Sequence, residues 1–190
     1  MGLKRVLAVV VLFAAIQVQA AQLRLVLDPD TTPVTFTLSD PLHTVHGTFK
    51  LKRGTIVFDP ESGVASGQLV VDATSGDTGS KARDSRMHKN ILESAKYPEI
   101  VFTPDHVDGK VLLEGDSEVK LHGQFRIHGA EHEVTLPAKT HIAGGKVTAE
   151  IEFPVPYVKW GMKNPSTFIL RVSDTVQIEI QAVGRLEAVF

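Results

Sequence analysis

The chain has no cysteine among its 190 residues. Disulfides, thiolate metal sites and cysteine nucleophiles are therefore excluded, and the core has to hold the fold alone. Long hydrophobic runs are missing too. The most apolar stretch, Val6 to Ile16, falls well short of the roughly 20 residues that a membrane-spanning helix needs. Nor is there a basic excess: 20 Lys and Arg face 22 Asp and Glu, for a net charge of -2. A mildly acidic chain without a basic cluster is a poor nucleic-acid binder. Phosphate-binding glycine loops and the G-x-S-x-G string of serine hydrolases are also absent.

What is present begins with a sorting pattern. Lys4 and Arg5 precede the apolar run, and Val18-Gln19-Ala20 follows it. This is the order of a cleaved secretory signal, with the cut expected between Ala20 and Ala21. Residues 1–20 are thus read as signal peptide and 21–190 as one exported domain, periplasmic or secreted. The signal takes two basic residues with it, leaving 18 basic against 22 acidic and a net charge of -4.

From Leu23 onward the dominant signal is two-residue alternation, the period of a strand with one buried and one wet face. In 118–128, Val119, Leu121, Gly123, Phe125 and Ile127 alternate with Lys120, His122, Gln124, Arg126 and His128. The pattern recurs in Val134 to Ala138, Val147 to Val155 and Val176 to Ala182. Strands buried on both faces read as continuous apolar runs, so these are expected to be antiparallel. Turn signals separate them: Asp28-Pro29-Asp30, Lys52-Arg53-Gly54, Asp59 to Gly63, Asp108-Gly109, His128-Gly129-Ala130 and Gly144-Gly145. Many short strands with polar turns mean a sandwich or barrel. One segment breaks the pattern, Gly79 to Tyr97, where Met87, Ile91 and Leu92 fall at helical spacing before Pro98 closes it. A short helical segment near residues 82–95 is expected there, across one end of the sheet.

Several motifs were weighed for chemistry. His128, Glu131 and His132 fit the H-x-x-E-H string of inverted zinc peptidases, which needs both imidazoles on one helix face. Here the string lies on an expected hairpin, which removes that geometry, so turn residues are the preferred reading. His43 and His46 lack a carboxylate at metal-site spacing. In Lys81-Ala-Arg83-Asp84-Ser-Arg86-Met87-His88-Lys89, Asp84 is placed to satisfy exposed N–H groups at a helix start. The same cluster, as the rim of a pocket, offers Arg83 or Arg86 to an anionic head group. Aromatic side chains on strands are ordinarily core. In an eight-stranded barrel, however, core and pocket wall use the same residues, because the interior is either filled or holds one small ligand.

Three segments together resemble the exported YceI-like proteins, described as polyisoprenoid-binding or lipid-binding. They are Val45-His46-Gly47-Thr48-Phe49, followed by Gly54 to Ile56; Thr78-Gly79-Ser-Lys-Ala-Arg83-Asp84 running to Met87, Leu92, Tyr97-Pro98-Glu99-Ile100 and Phe102; and Leu121 to Gly129 continuing to Pro137. The resemblance spans roughly 23–180. It implies an all-β fold, an eight-stranded antiparallel lipocalin-like barrel. The elongated apolar cavity of such a barrel takes an isoprenoid, prenyl quinone or fatty chain. The chain departs from the family's usual pattern at 156–165, where Trp160 and Met162 are expected to alter ligand size or close the cavity.

On that reading the protein is a non-catalytic carrier or store for an amphiphilic lipid or prenyl ligand, with no metal and no cofactor beyond the bound chain. The lining is expected from Phe36, Phe49, Phe58, Leu69, Val71, Ile91, Phe102, Phe125, Ile127, Ile151, Phe153, Trp160 and Phe168. Arg83, His88 and Tyr97 are assigned to head-group contacts or to fixing the helical segment. The alternative is a stress-related barrel with a filled core that acts through a protein partner. A homodimer is compatible with a barrel of this kind, although no residue specifies one.

Overall fold

A computed structural model of the chain describes residues 22–39, 44–167 and 171–189. The expected signal peptide, His43 and Phe168 lie outside the described residues. Among those described, the strands are β1 (Gln22–Leu27), β2 (Pro33–Ser39), β3 (Thr44–Phe58), β4 (Ala65–Asp77), β5 (Glu99–Asp108), β6 (Gly115–Ile127), β7 (Ala130–Ala143), β8 (Lys146–Val155) and β9 (Val176–Val189). All pair antiparallel, and the β3–β4 ladder closes the sheet into a barrel.

Nine strands make an eight-strand wall because β1 and β2 share one place in it. β1 pairs with the second half of β3 and the end of β9, while β2 pairs with the first half of β3 and the start of β9. At the break between them, the buried Thr32 hydroxyl donates to the Val183 carbonyl at 3.2 Å and accepts the Val183 N–H at 3.1 Å. That side chain replaces the ladder bonds the interrupted strand cannot make.

Turn chemistry fixes the register of two long hairpins. His128 and Gly129 have φ of 51° and 78°, and Gly144 and Gly145 have 55° and 76°. Two successive left-handed residues are the tight hairpin turn whose twist matches that of the flanking strands. Lys52-Arg53-Gly54, by contrast, is not the expected turn. β3 runs straight through it, and its register against β4 slips between Leu51 and Arg53. Such a bulge bends the strand without reversing it. Lys52 and Arg53 are exposed together while Leu51 and Gly54 stay buried on either side.

The interruption of strand structure is α1 (Lys81–Arg86), which continues into a π-helical turn over Met87–Ile91. Helical structure therefore ends four residues earlier than the 82–95 reading. The wider i→i+5 bond, Leu92 N–H to the Met87 carbonyl at 2.9 Å, lets the segment turn down onto the barrel end.

Candidate ligand cavity and lid

Alternation sends one face of every strand into the barrel, and the interior those side chains leave contains two separate voids. One, of about 130 Å³, lies under the helical segment and is bounded by Phe36, Phe49, Val71, Met87, Ile91, Phe125, Ile127, Phe153, Tyr157, Met162 and Ile178, among others. The other, about 70 Å³, lies deeper and is bounded by Phe58, Leu69, Leu121, Ala138, Ile151 and neighbours. Among the described residues, no polar atom is presented to the upper void. Its lone phenol, Tyr157, donates its O–H to the Ser173 carbonyl at 2.6 Å, and burial pushes its pKa up to about 12. Such a surface offers contact and exclusion of water and nothing for a polar substrate to bond.

The helical segment acts as a lid, with Met87, Ile91 and Leu92 turned toward the cavity and charged residues outward. Its start is pinned at Thr78. The Asp84 carboxylate accepts the Thr78 O–H at 2.6 Å and N–H at 2.8 Å, and Arg83 Nη2 donates to the Thr78 carbonyl at 3.0 Å. Those two bonds from Thr78 hold the Asp84 pKa below its ordinary 3.8. Its contribution is therefore present above pH 3.8 and is lost as pH falls through the lower folded value. Farther along, His88 Nε2–H donates to the Gly76 carbonyl at 2.9 Å, leaving Nδ1 beside the Ser94 hydroxyl at 3.0 Å. The lid ends where His128 Nε2 meets the Glu93 carboxylate at 2.7 Å, with the His128 ring packed against Tyr97. Asp84→Ala is expected to speed proteolytic cleavage within 81–96 while the strands stay resistant, as limited digestion followed by mass mapping will check.

Beyond the His128–Gly129 turn, β7 and β8 diverge. Their ladder covers only Ala138 to Ala143, so the first half of β7 has no β8 partner. Trp160 packs there, stacked on His132 at 4.1 Å and 7° and set 5.7 Å from Phe125. His132 Nε2 is shielded from water and has no hydrogen-bond partner among the described residues, and desolvation lowers the His132 pKa below 6.5. The fold thus favours neutral His132. Its contribution to stability is full above pH 6.5 and declines as pH falls below that value, until the folded ring itself takes up the proton. Trp160 is the only tryptophan. Its emission is expected to change below pH 6.5 in the wild type and to stay flat in His132→Phe, which keeps the stack and removes the titration.

The family model for the YceI-like domain matches residues 25–184. The chain belongs to this family. Among solved structures, Burkholderia cenocepacia BcnA superposes with a TM-score of 0.68 at 20% identity, over 83% of this chain and 98% of that one. A polyisoprenoid binding domain from Saccharophagus degradans gives 0.67 at 18% identity, over 86% and 98%. The Campylobacter jejuni YceI protein gives 0.55 at 18%, over 73% and 80%. No curated protein matches in sequence.

The YceI-like motifs have local physical reasons here. In Val45 to Phe49, Gly47 lies under the Phe36 ring: a Cβ there would stand 2.2 Å from Phe36 Cζ, so only glycine lets that ring lie against β3 inside the cavity. Arg83 and Asp84 serve the lid rather than the cavity. Arg83 is exposed, bonded to Thr78, and does not line the void. His88 and Tyr97 likewise hold the lid against the barrel. Phe36, Phe49, Val71, Ile91, Phe125, Ile127 and Phe153 line the upper void, and Phe58, Leu69 and Ile151 the lower. Phe102 and Trp160 line neither, although Trp160 packs 5.7 Å from Phe125. His128, Glu131 and His132 do not converge on a point. His128 is engaged with Glu93, and Glu131 and His132 project to opposite sides of β7.

Met162, expected with Trp160 to shape the cavity, lines it, whereas sequence reasoning missed Met87, Tyr157, Val176 and Ile178. Val176 and Ile178 were visible as alternation in β9, where an aromatic search passed over them. Tyr157 and Met162 lie on the 156–162 turn, whose inward direction no periodicity reports.

Proposed function

We propose that this YceI-like protein is an exported, non-catalytic binding protein that carries or stores an amphiphile by burying its prenyl or other hydrocarbon chain in the upper cavity. The observation that carries this reading is the void, apolar throughout its described lining, under a helical segment pinned at Thr78 and Gly76. Each buried CH₂ contributes about 0.8 kcal/mol, so chain burial alone supplies affinity where no polar group is available. The void of about 130 Å³ compares with the ~150 Å³ engineered cavities that admit benzene, so it takes about one isoprene unit as it stands. A longer chain requires the lid side chains Met87 and Ile91 to withdraw. The exposed Lys81, Arg83, Arg86 and Lys89 then border the place where a polar or anionic head group emerges. The polyisoprenoid binding named for the Saccharophagus degradans domain agrees with this choice of ligand. The two voids count against a barrel whose core is filled.

Titration of delipidated protein with farnesol, followed through Trp160 emission, tests the proposal. Saturable uptake near one chain per barrel is the expected result. Absence of uptake by folded protein, with prenyl quinones and fatty acids also refused, would remove the proposal.

A further inference from the structure

We infer that Phe102 is the stop that sets how long a chain the barrel accepts, an inference that rests on the chain-binding reading above. Leu69, Phe102 and Phe125 are consecutive in one cross-strand row of β4, β5 and β6. Leu69 bounds the lower void and Phe125 the upper, while Phe102, only 4% exposed, stands between them and bounds neither. The same level is crossed on β8 between Ile151 below and Phe153 above, and on β9 between Ala182 below and Ile180 above. On β6 the inward position between Leu121 and Phe125 is Gly123, which supplies no side chain to a partition. The aromatic ring of Phe102 is thus the largest group at the height where the two voids are separated.

Both voids are apolar, so nothing but this ring and its aliphatic neighbours distinguishes the end of one from the start of the other. A chain entering from the lid end meets Phe102 after passing Phe125. Leu51 and Leu136, buried and likewise bounding neither void, are the aliphatic remainder of the partition, so removal of the larger Phe102 ring is the single change that would join about 130 Å³ to about 70 Å³. The terminal isoprene units of a longer chain would then bury where none could before.

The test uses geraniol, farnesol and geranylgeraniol against delipidated wild type, Phe102→Ala and the milder Phe102→Leu, with competition read by native mass spectrometry. Phe102→Ala is expected to move the preference toward geranylgeraniol over geraniol by about tenfold or more, since each added isoprene buries several carbons. Phe102→Leu is expected to shift in the same direction by less, and carries the test if the alanine variant does not fold. Adding Ala138→Leu, which fills the lower void, is expected to cancel the shift. Unchanged length preference in both variants, with wild type binding normally, would overturn the role of Phe102 and leave chain binding intact. Folded wild type that binds none of the three would instead overturn the chain-binding reading, and Phe102's role with it.

Discussion

Ile178→Trp is expected to weaken uptake of a prenyl chain at least about 100-fold while leaving the barrel folded. Ile178 faces the upper cavity from β9, opposite Phe36 on one side and Phe153 on the other. It is only partly buried, so a larger side chain enters void rather than packed core. An indole at this place takes the volume that about four chain carbons would use. At about 0.8 kcal/mol per CH₂, their loss comes to about 3 kcal/mol, or roughly a hundredfold in Kd. The neighbouring Gln177→Trp, on the exposed face of the same strand, is the matched control and is expected to bind as wild type. Fluorescence is unsuitable with a second tryptophan present, so isothermal titration of farnesol is the measurement. Equal affinity in Ile178→Trp and wild type would mean that ligand does not occupy this cavity.

The largest expected effect on stability comes from the smallest change, Gly123→Ala. An added Cβ would stand 2.2 Å from the Thr103 carbonyl oxygen and 2.7 Å from Pro104 Cα, both of them backbone. No rotamer change relieves a contact of that kind. β5 is fixed here by its ladder to β6 and by the register slip between Pro104 and His106, so separation of the two strands is the remaining response. A loss of about 3 kcal/mol or more is expected, at the upper end of overpacking effects. Urea unfolding with the slope held common will read it as a shift in midpoint. Gly79→Ala is the useful comparison, because nothing lies within 4 Å of a Cβ built there. Its φ of 73° leaves only the strain of a left-handed alanine.

These two substitutions also mark where the sequence was legible and where it was not. Period-two alternation exposed the inward positions of β6 to β9, and the turn pairs at 128–129 and 144–145 set their hairpins, because both signals are local. The helical segment stood out because three apolar residues at helical spacing interrupt a β pattern. Lys52 to Gly54 misled because a bulge and a turn share the same polar and glycine composition. What separates them is pairing with β4, a partner that lies beyond any local window.

The cavity was less legible than the fold for the same reason. Alternation says which side chains point inward, and it does not say whether they meet. Phe102 and Phe153 look alike in sequence, yet one partitions the interior and the other bounds a void. Val70 and Val101 went unremarked because they belong to the outer face of their strands. They are nonetheless buried, standing in one cross-strand row between Arg53 and Arg126. Long basic side chains cover apolar surface with their stems in such places. The charge of Arg83 suits either a head group or fixing of the helical segment, and sequence alone does not choose between them. Its hydrogen bonds go to Thr78, five residues earlier, so its first role is local.

Native mass spectrometry of protein purified from its own host, with organic extraction and identification of whatever is released, decides the claim that this barrel carries a hydrocarbon chain in its upper cavity. The expected result is one prenyl or acyl species per barrel, reduced or lost in Ile178→Trp. Protein that leaves its host without a bound chain, and takes up none when offered, would contradict the claim.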